Sequence, residues 1–146
     1  MIKECIKKIY RHNEFPFLVL IMIYSFPSFF MDKSGDDVWF VIANEGKNLF
    51  TFIFERYQIW TSRVIIETIL VIFAKYLPIF IYKICNLGMV YLLTRSISKL
   101  IIIHKNENIR ENNTYICILL FSIPFSLYFE AGWIATSTNY LWVAAT

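Results

Sequence analysis

Hydrophobic positions along this chain fall in long blocks rather than short stripes. Residues 15–31 and 115–129 carry no charge, and residues 64–103 are apolar apart from a few scattered charges. About 20 consecutive apolar residues make a helix as long as a bilayer core is thick. The pattern therefore predicts an all-α, polytopic transmembrane protein. Its spans run over about 15–31, 77–93 and 115–129, and a fourth begins at Tyr140. Pro16 sits at the start of the first block, where its missing N–H costs nothing, and Pro27 and Pro124 are expected to kink their helices.

The block over residues 64–103 could hold one span or two, and only Pro78 offers a turn between them. Two spans would bury Glu67 and Lys75 in lipid, each at about 2.5–3.5 kcal/mol near the bilayer centre. The reading that avoids this cost is an amphipathic helix from Arg63 to about Lys75 along the membrane surface, followed by one span. Arg63 and Glu67 then pair at i, i+4 on the wet side. The outside loop, residues 32–76, also holds two aromatic-rich stretches, Val38–Ile42 and Leu49–Phe54, expected to lie as interfacial amphipathic helices. Residues 94–114 form a cytoplasmic loop, and a polar turn over Ala131–Asn139 leads into the fourth span.

Composition agrees with a membrane protein. Hydrophobic residues make up 58% of the 146 and charged residues 17%, against roughly 45–50% and 25% in a soluble domain. With 14 Phe, 9 Tyr and 4 Trp, a disordered coil is excluded. The first block closes on Phe29, Phe30 and Met31 rather than on small residues, so it reads as an uncleaved anchor, not a signal peptide. Cys5, Cys85 and Cys117 match no metal-ligand spacing and read as small apolar residues. A net charge of +3 is too small to point to nucleic acid, and none is expected as a partner. The distribution of charge says more. Residues 1–14 and 95–113 carry 8 Lys and Arg, whereas residues 32–63 carry 4 and are net acidic. The positive-inside rule then places the N-terminus and the 94–114 loop in the cytoplasm.

On that topology Asp36, Asp37, Arg63, Glu67 and Glu130 all stand on the outer side. Adjacent carboxylates such as Asp36 and Asp37 suit a general base or a divalent cation, and equally a solvated loop pair. Arg63 offers a planar fork of donors for a phosphate, or an interface anchor beside Trp60. Glu67 and Glu130 are secondary candidates for substrate binding.

The order of four motifs carries a resemblance. Asp36-Asp37 comes first, then Tyr57-Gln58-Ile59-Trp60-Thr61-Ser62-Arg63, then Ile84-Cys85-Asn86-Leu87. Last comes Ala131-Gly132-Trp133-Ile134-Ala135-Thr136-Ser137-Thr138-Asn139-Tyr140-Leu141-Trp142. In this order the chain resembles the N-terminal part of a family of uncharacterised bacterial multi-pass membrane proteins related to O-antigen glucosyltransferases, which look like glycosyltransferases of the C-type fold. The resemblance implies a bacterial plasma-membrane protein that transfers a sugar from a polyprenyl-phosphate donor to a cell-envelope polysaccharide, with membrane lipid around it. It implies that Asp36 or Asp37 is the catalytic base or a metal ligand, and that Arg63 belongs to a Trp-x-x-Arg element. Relatives carry Gly where Ser62 stands here. Seven apolar residues after Asn139 cannot cross a bilayer, so the chain is expected to be the front end of a longer enzyme and inactive alone. The competing expectation is a non-catalytic small integral membrane protein that binds membrane partners or lipid. A transporter fragment is disfavoured, because the charges cluster at interfaces.

Overall fold

The computed structural model describes residues 12–59, 63–102, 108–128 and 131–146. Cys5, Trp60, Ser62 and Glu130 lie outside them. Among the described residues the secondary structure is helical and no strand occurs. The helices are α1 (Phe15–Phe30), α2 (Asp36–Ala43), α3 (Leu49–Ile59), α4 (Val64–Val71), α5 (Ile79–Ile102) and α6 (Ile109–Phe121). A π-helical turn, Ile72–Tyr76, continues α4, and a 3-10 turn, Phe125–Tyr128, follows α6. The chain closes with α7 (Trp133–Thr136), a π turn (Ser137–Leu141) and α8 (Trp142–Ala145), which run on without a break.

The helices correct the expected topology. No helix among the described residues is long and apolar enough to cross a membrane, so the multi-pass architecture and the plasma-membrane localisation built on it are not supported. The apolar blocks are longer than the regular helices they form. At 1.5 Å per residue, the 16 residues of α1 reach about 24 Å and the 13 of α6 about 20 Å, against a hydrocarbon core of about 30 Å. In the second case Pro124 breaks the block and a 3-10 turn takes over. With 24 residues α5 is long enough, but it carries Lys83, Asn86, Arg95 and Lys99 along its length. The stretch read as a polar turn, Ala131–Asn139, is instead mostly helix from Trp133 onward.

Local chemistry explains the breaks. Pro16 stands in the first turn of α1, where no N–H is required. Leu77, immediately before Pro78, is extended at φ −108° and ψ 147°, typical of a residue preceding proline, which ends the π turn and lets α5 start afresh. Buried positions on α1 follow helical spacing, Phe17, Leu20, Tyr24 and Ser28, while Met22, Phe26, Phe29 and Phe30 stay exposed. On α5 the buried residues recur every fourth position: Tyr82, Asn86, Val90, Thr94 and Ser98. A repeat of 4 against 3.6 residues per turn rotates the stripe by about 40° per step. The same helix thus meets the α7–α8 segment, α1 and α6 in turn.

Two apolar clusters result. One gathers Phe40, Phe52, Leu70, Val71, Tyr82 and Trp133, so α2, α3 and α4 fold around the start of α7 instead of lying flat. The other joins Phe17, Leu20, Tyr24, Val90, Cys117 and Leu141. Trp142 packs against both. Its ring stacks on Tyr82 at 6.0 Å, and its Nε1 donates to Asn86 Oδ1 at 3.0 Å.

Candidate functional site

Asp36 and Asp37 open α2 after Gly35, where the positive end of the helix dipole favours carboxylates. Consecutive helical residues point about 100° apart, and the two aspartates go to different places. Asp37 is fully buried. Its Oδ2 accepts the N–H of Ile134 at 3.0 Å, and its Oδ1 accepts the N–H of Ala135 at 2.8 Å. It thereby caps the first turn of α7, whose own preceding residue is Gly132 with no side chain to offer. Burial raises the Asp37 pKa, while the backbone N–H groups around it work the other way.

The two chain segments approach closely enough to require glycine. Asp36 N–H donates to Ala131 O at 2.7 Å. A Cβ on Gly132, at φ +125°, would stand 2.6 Å from Ser34 O and 2.9 Å from Asp37 Oδ1. One on Gly35, at φ +51°, would stand 2.7 Å from Ala131 O. The Gly132-Trp133 motif is therefore a docking element for the Gly35-Asp36-Asp37 turn.

Asp36 itself is exposed and lines a polar cavity of about 410 Å³ together with Arg56, Arg63, Glu67, Thr136 and Asn139. Three of the residues singled out in the sequence, Asp36, Arg63 and Glu67, thus meet in one pocket, while Asp37 does not line it and Glu130 lies outside the described residues. The expected Arg63–Glu67 pairing is replaced by another. Arg56 donates from Nε to Glu67 Oε2 at 3.1 Å and from Nη2 to Glu67 Oε1 at 3.0 Å, a bidentate pair with both side chains largely covered. Its guanidinium also lies 5.1 Å from the Trp39 ring centre and 5.4 Å from that of Phe40. Arg63 stands exposed at the head of α4, its carbonyl accepting the Glu67 N–H at 3.0 Å.

Arg56 is the residue the sequence reading missed. It sits 11 positions before Glu67, on another helix, and no local spacing links the two; the signal was an arginine in an otherwise aromatic stretch. Asn139, read as the end of a polar turn, lies within the π turn and donates from Nδ2 to Ala135 O at 2.8 Å.

A second cavity, about 530 Å³ and lined by Leu93, Leu120, Ile123, Leu127 and Leu141, adjoins the polar one: both are walled by Ala131, Thr136 and Tyr140. The α7 segment thus separates a charged chamber from an apolar groove. The two aspartates do not converge on one site: Asp36 faces the polar cavity, whereas Asp37 is fully buried with each of its oxygens accepting a backbone N–H. Among the described residues no group of three or more His, Cys, Asp or Glu stands together. Cys85 and Cys117 are free thiols, and burial pushes Cys117 up to about 11.

No family model, no curated protein and no solved structure matches this chain.

Proposed function

We propose that the polar cavity receives a sugar carried on a polyprenyl phosphate, and that the protein is glycosyltransferase-like, acting in cell-envelope polysaccharide synthesis. The observation that supports this reading is the pairing of chambers: a pocket holding Asp36 and Arg63 shares Ala131, Thr136 and Tyr140 with an apolar groove. A ligand with a phosphate-linked sugar at one end and a hydrocarbon chain at the other matches that division. The many exposed apolar side chains, Phe26, Phe29, Phe30 and Phe50 among them, are in keeping with a lipid partner.

In this scheme Asp36 accepts the proton of an acceptor hydroxyl as its oxygen forms a bond to the anomeric carbon. The bond from that carbon to the phosphate oxygen breaks, and the electron pair leaves with the lipid phosphate, whose charge Arg63 offsets. Glu67 is already held by both forks of Arg56, so its part is to fix Arg56 on the pocket wall rather than to take a proton. No step passes through a metal ion.

The test uses the full chain with a short-chain prenyl-phosphoryl-glucose probe, following binding by calorimetry and sugar release by chromatography. Arg63→Ala should weaken binding about tenfold, equivalent to about 1.4 kcal/mol. Asp36→Asn should leave binding within twofold and abolish release. Unchanged binding in Arg63→Ala, or undiminished release in Asp36→Asn, overturns the assignment. A second reading, non-catalytic lipid binding, is favoured by the apolar groove; probe binding without sugar release by the unaltered chain supports it.

A further inference from the structure

The walls of the polar cavity divide by chemistry. Among the described residues its charged side chains, Asp36, Arg56, Arg63 and Glu67, stand on α2 and α3 and at the start of α4, whereas Thr136 and Asn139 come from α7 and the π turn after it. Both are half-buried, and three positions on a helical segment put two residues on one face, with Cβ atoms about 5–6 Å apart. A π turn of this kind recurs at functional sites.

The hydrogen bonds that each side chain already makes fix what it has left to offer. Asn139 donates from Nδ2 to Ala135 O at 2.8 Å. A carbonyl oxygen takes only a donor, so the amide is set one way round, and the atom left over is Oδ1, an acceptor that no group among the described residues occupies. Thr136 is the converse. Its Oγ1 accepts the Ala131 N–H at 3.3 Å, and its own proton has no acceptor among the described residues. Thr138 shows the contrast, since it is buried and its hydroxyl is spent on Ile134 O at 2.7 Å. The α7 wall therefore presents one donor beside one acceptor.

A hydroxyl group accepts one hydrogen bond while donating another, whereas an ammonium only donates and a carboxylate only accepts. We propose that Thr136 and Asn139 together read one hydroxyl of the bound sugar, Thr136 donating to its oxygen and Asn139 Oδ1 accepting its proton. The inference rests on the sugar-transfer reading and adds selectivity to it: Asp36 and Arg63 act where the sugar meets acceptor and phosphate, and this pair sets which sugar is held. A sugar without that hydroxyl leaves two half-buried polar groups unpaired and is rejected for that reason.

The experiment measures, by calorimetry on the full chain, binding of the prenyl-phosphoryl-glucose probe and of its monodeoxy analogues, one for each hydroxyl of the sugar. One analogue should bind the unaltered chain at least tenfold more weakly than the glucose probe. Thr136→Val and Asn139→Ala should each weaken the glucose probe at least threefold, and the double variant should bind the glucose probe and that analogue within about twofold of each other. The analogue itself should bind the double variant and the unaltered chain alike, which separates lost recognition from lost folding. Truncating Asn139 leaves Ala135 O with the Thr138 hydroxyl at 3.3 Å. Thr136→Ser keeps the donor and should hold the glucose probe within about twofold of the unaltered chain. Equal binding of all the probes by the unaltered chain overturns the inference, as does a penalty for the analogue that survives in the double variant. Glucose-probe binding that responds to Arg63→Ala but to neither Thr136→Val nor Asn139→Ala overturns it and leaves the sugar-transfer reading standing, whereas binding of no probe at all overturns both.

Discussion

Asp36 and Asp37 are neighbours in sequence with opposite fates: one faces a cavity, the other is buried against the backbone of α7. The sequence made both legible as candidates because carboxylates after a glycine at a helix start are chemically conspicuous. It could not separate them, because which of two successive helical residues faces solvent depends on what packs against the helix, here residues almost a hundred positions away. The buried carboxylate has a pH signature. Its pKa is raised above the ordinary 3.8, so between those two values the folded chain binds more protons than the unfolded one. Stability then falls as pH rises from about 3.8 through the folded-state value and levels off above it. Urea midpoints should show this slope in the unaltered chain and lose it in Asp37→Asn, taken as the difference between the two profiles. Parallel profiles would refute it. The Asn variant should also cost about 1–3 kcal/mol, because its amide group turns a donor toward a backbone N–H.

Among the elements, the break between α4 and α5 was readable from Pro78, and the extent of α1 from its uncharged block. The α7–α8 segment was not. Thr136, Ser137, Thr138 and Asn139 look like a turn by composition, but Thr138 donates to Ile134 O at 2.7 Å and Asn139 to Ala135 O. Those bonds to the preceding turn let a polar stretch enter the interior as helix. The aromatic stretches of α2 and α3 were expected on a membrane surface, and instead Phe40 and Phe52 meet edge to face at 6.2 Å inside the first cluster. What joins α3 to α4 is the Arg56–Glu67 pair. Arg56→Ala leaves Glu67 covered and unpaired and should cost about 3 kcal/mol, whereas Arg56→Met with Glu67→Leu should recover most of it. The exposed Lys47–Glu55 pair joins the same region, and Lys47→Ala should cost less than about 1 kcal/mol. Chemical denaturation of the three variants checks the ranking; equal losses for the buried and exposed pairs would overturn it.

For the whole molecule, the hydrophobic blocks predicted helix but misplaced its ends: α5 runs on to Ile102, past the span expected to close at 93, and α6 starts at Ile109 and stops at Phe121, where a span over 115–129 was expected. Counting apolar residues measures how much surface wants burial, not how far a regular helix runs before a proline or a polar stripe ends it. The two apolar clusters are joined through Trp142, which stacks on Tyr82 and bonds Asn86. Trp142→Ala should cost about 3–5 kcal/mol and separate the unfolding of the α2–α4 region from that of α1 and α6, seen as two transitions in denaturant. One transition with an unchanged midpoint would refute that linkage. The cap that Asp37 places on Ile134 and Ala135 has a further consequence, in time rather than in space. As the chain is synthesised from its N-terminus, α2 emerges long before its partner exists, and until Ala135 has emerged the Asp37 carboxylate has no α7 backbone to receive it. Folding of the candidate site therefore waits on contacts of high sequence separation, which are slow to close. Asp36 can take its place beside Arg63 only once Ile134 and Ala135 have left the ribosome.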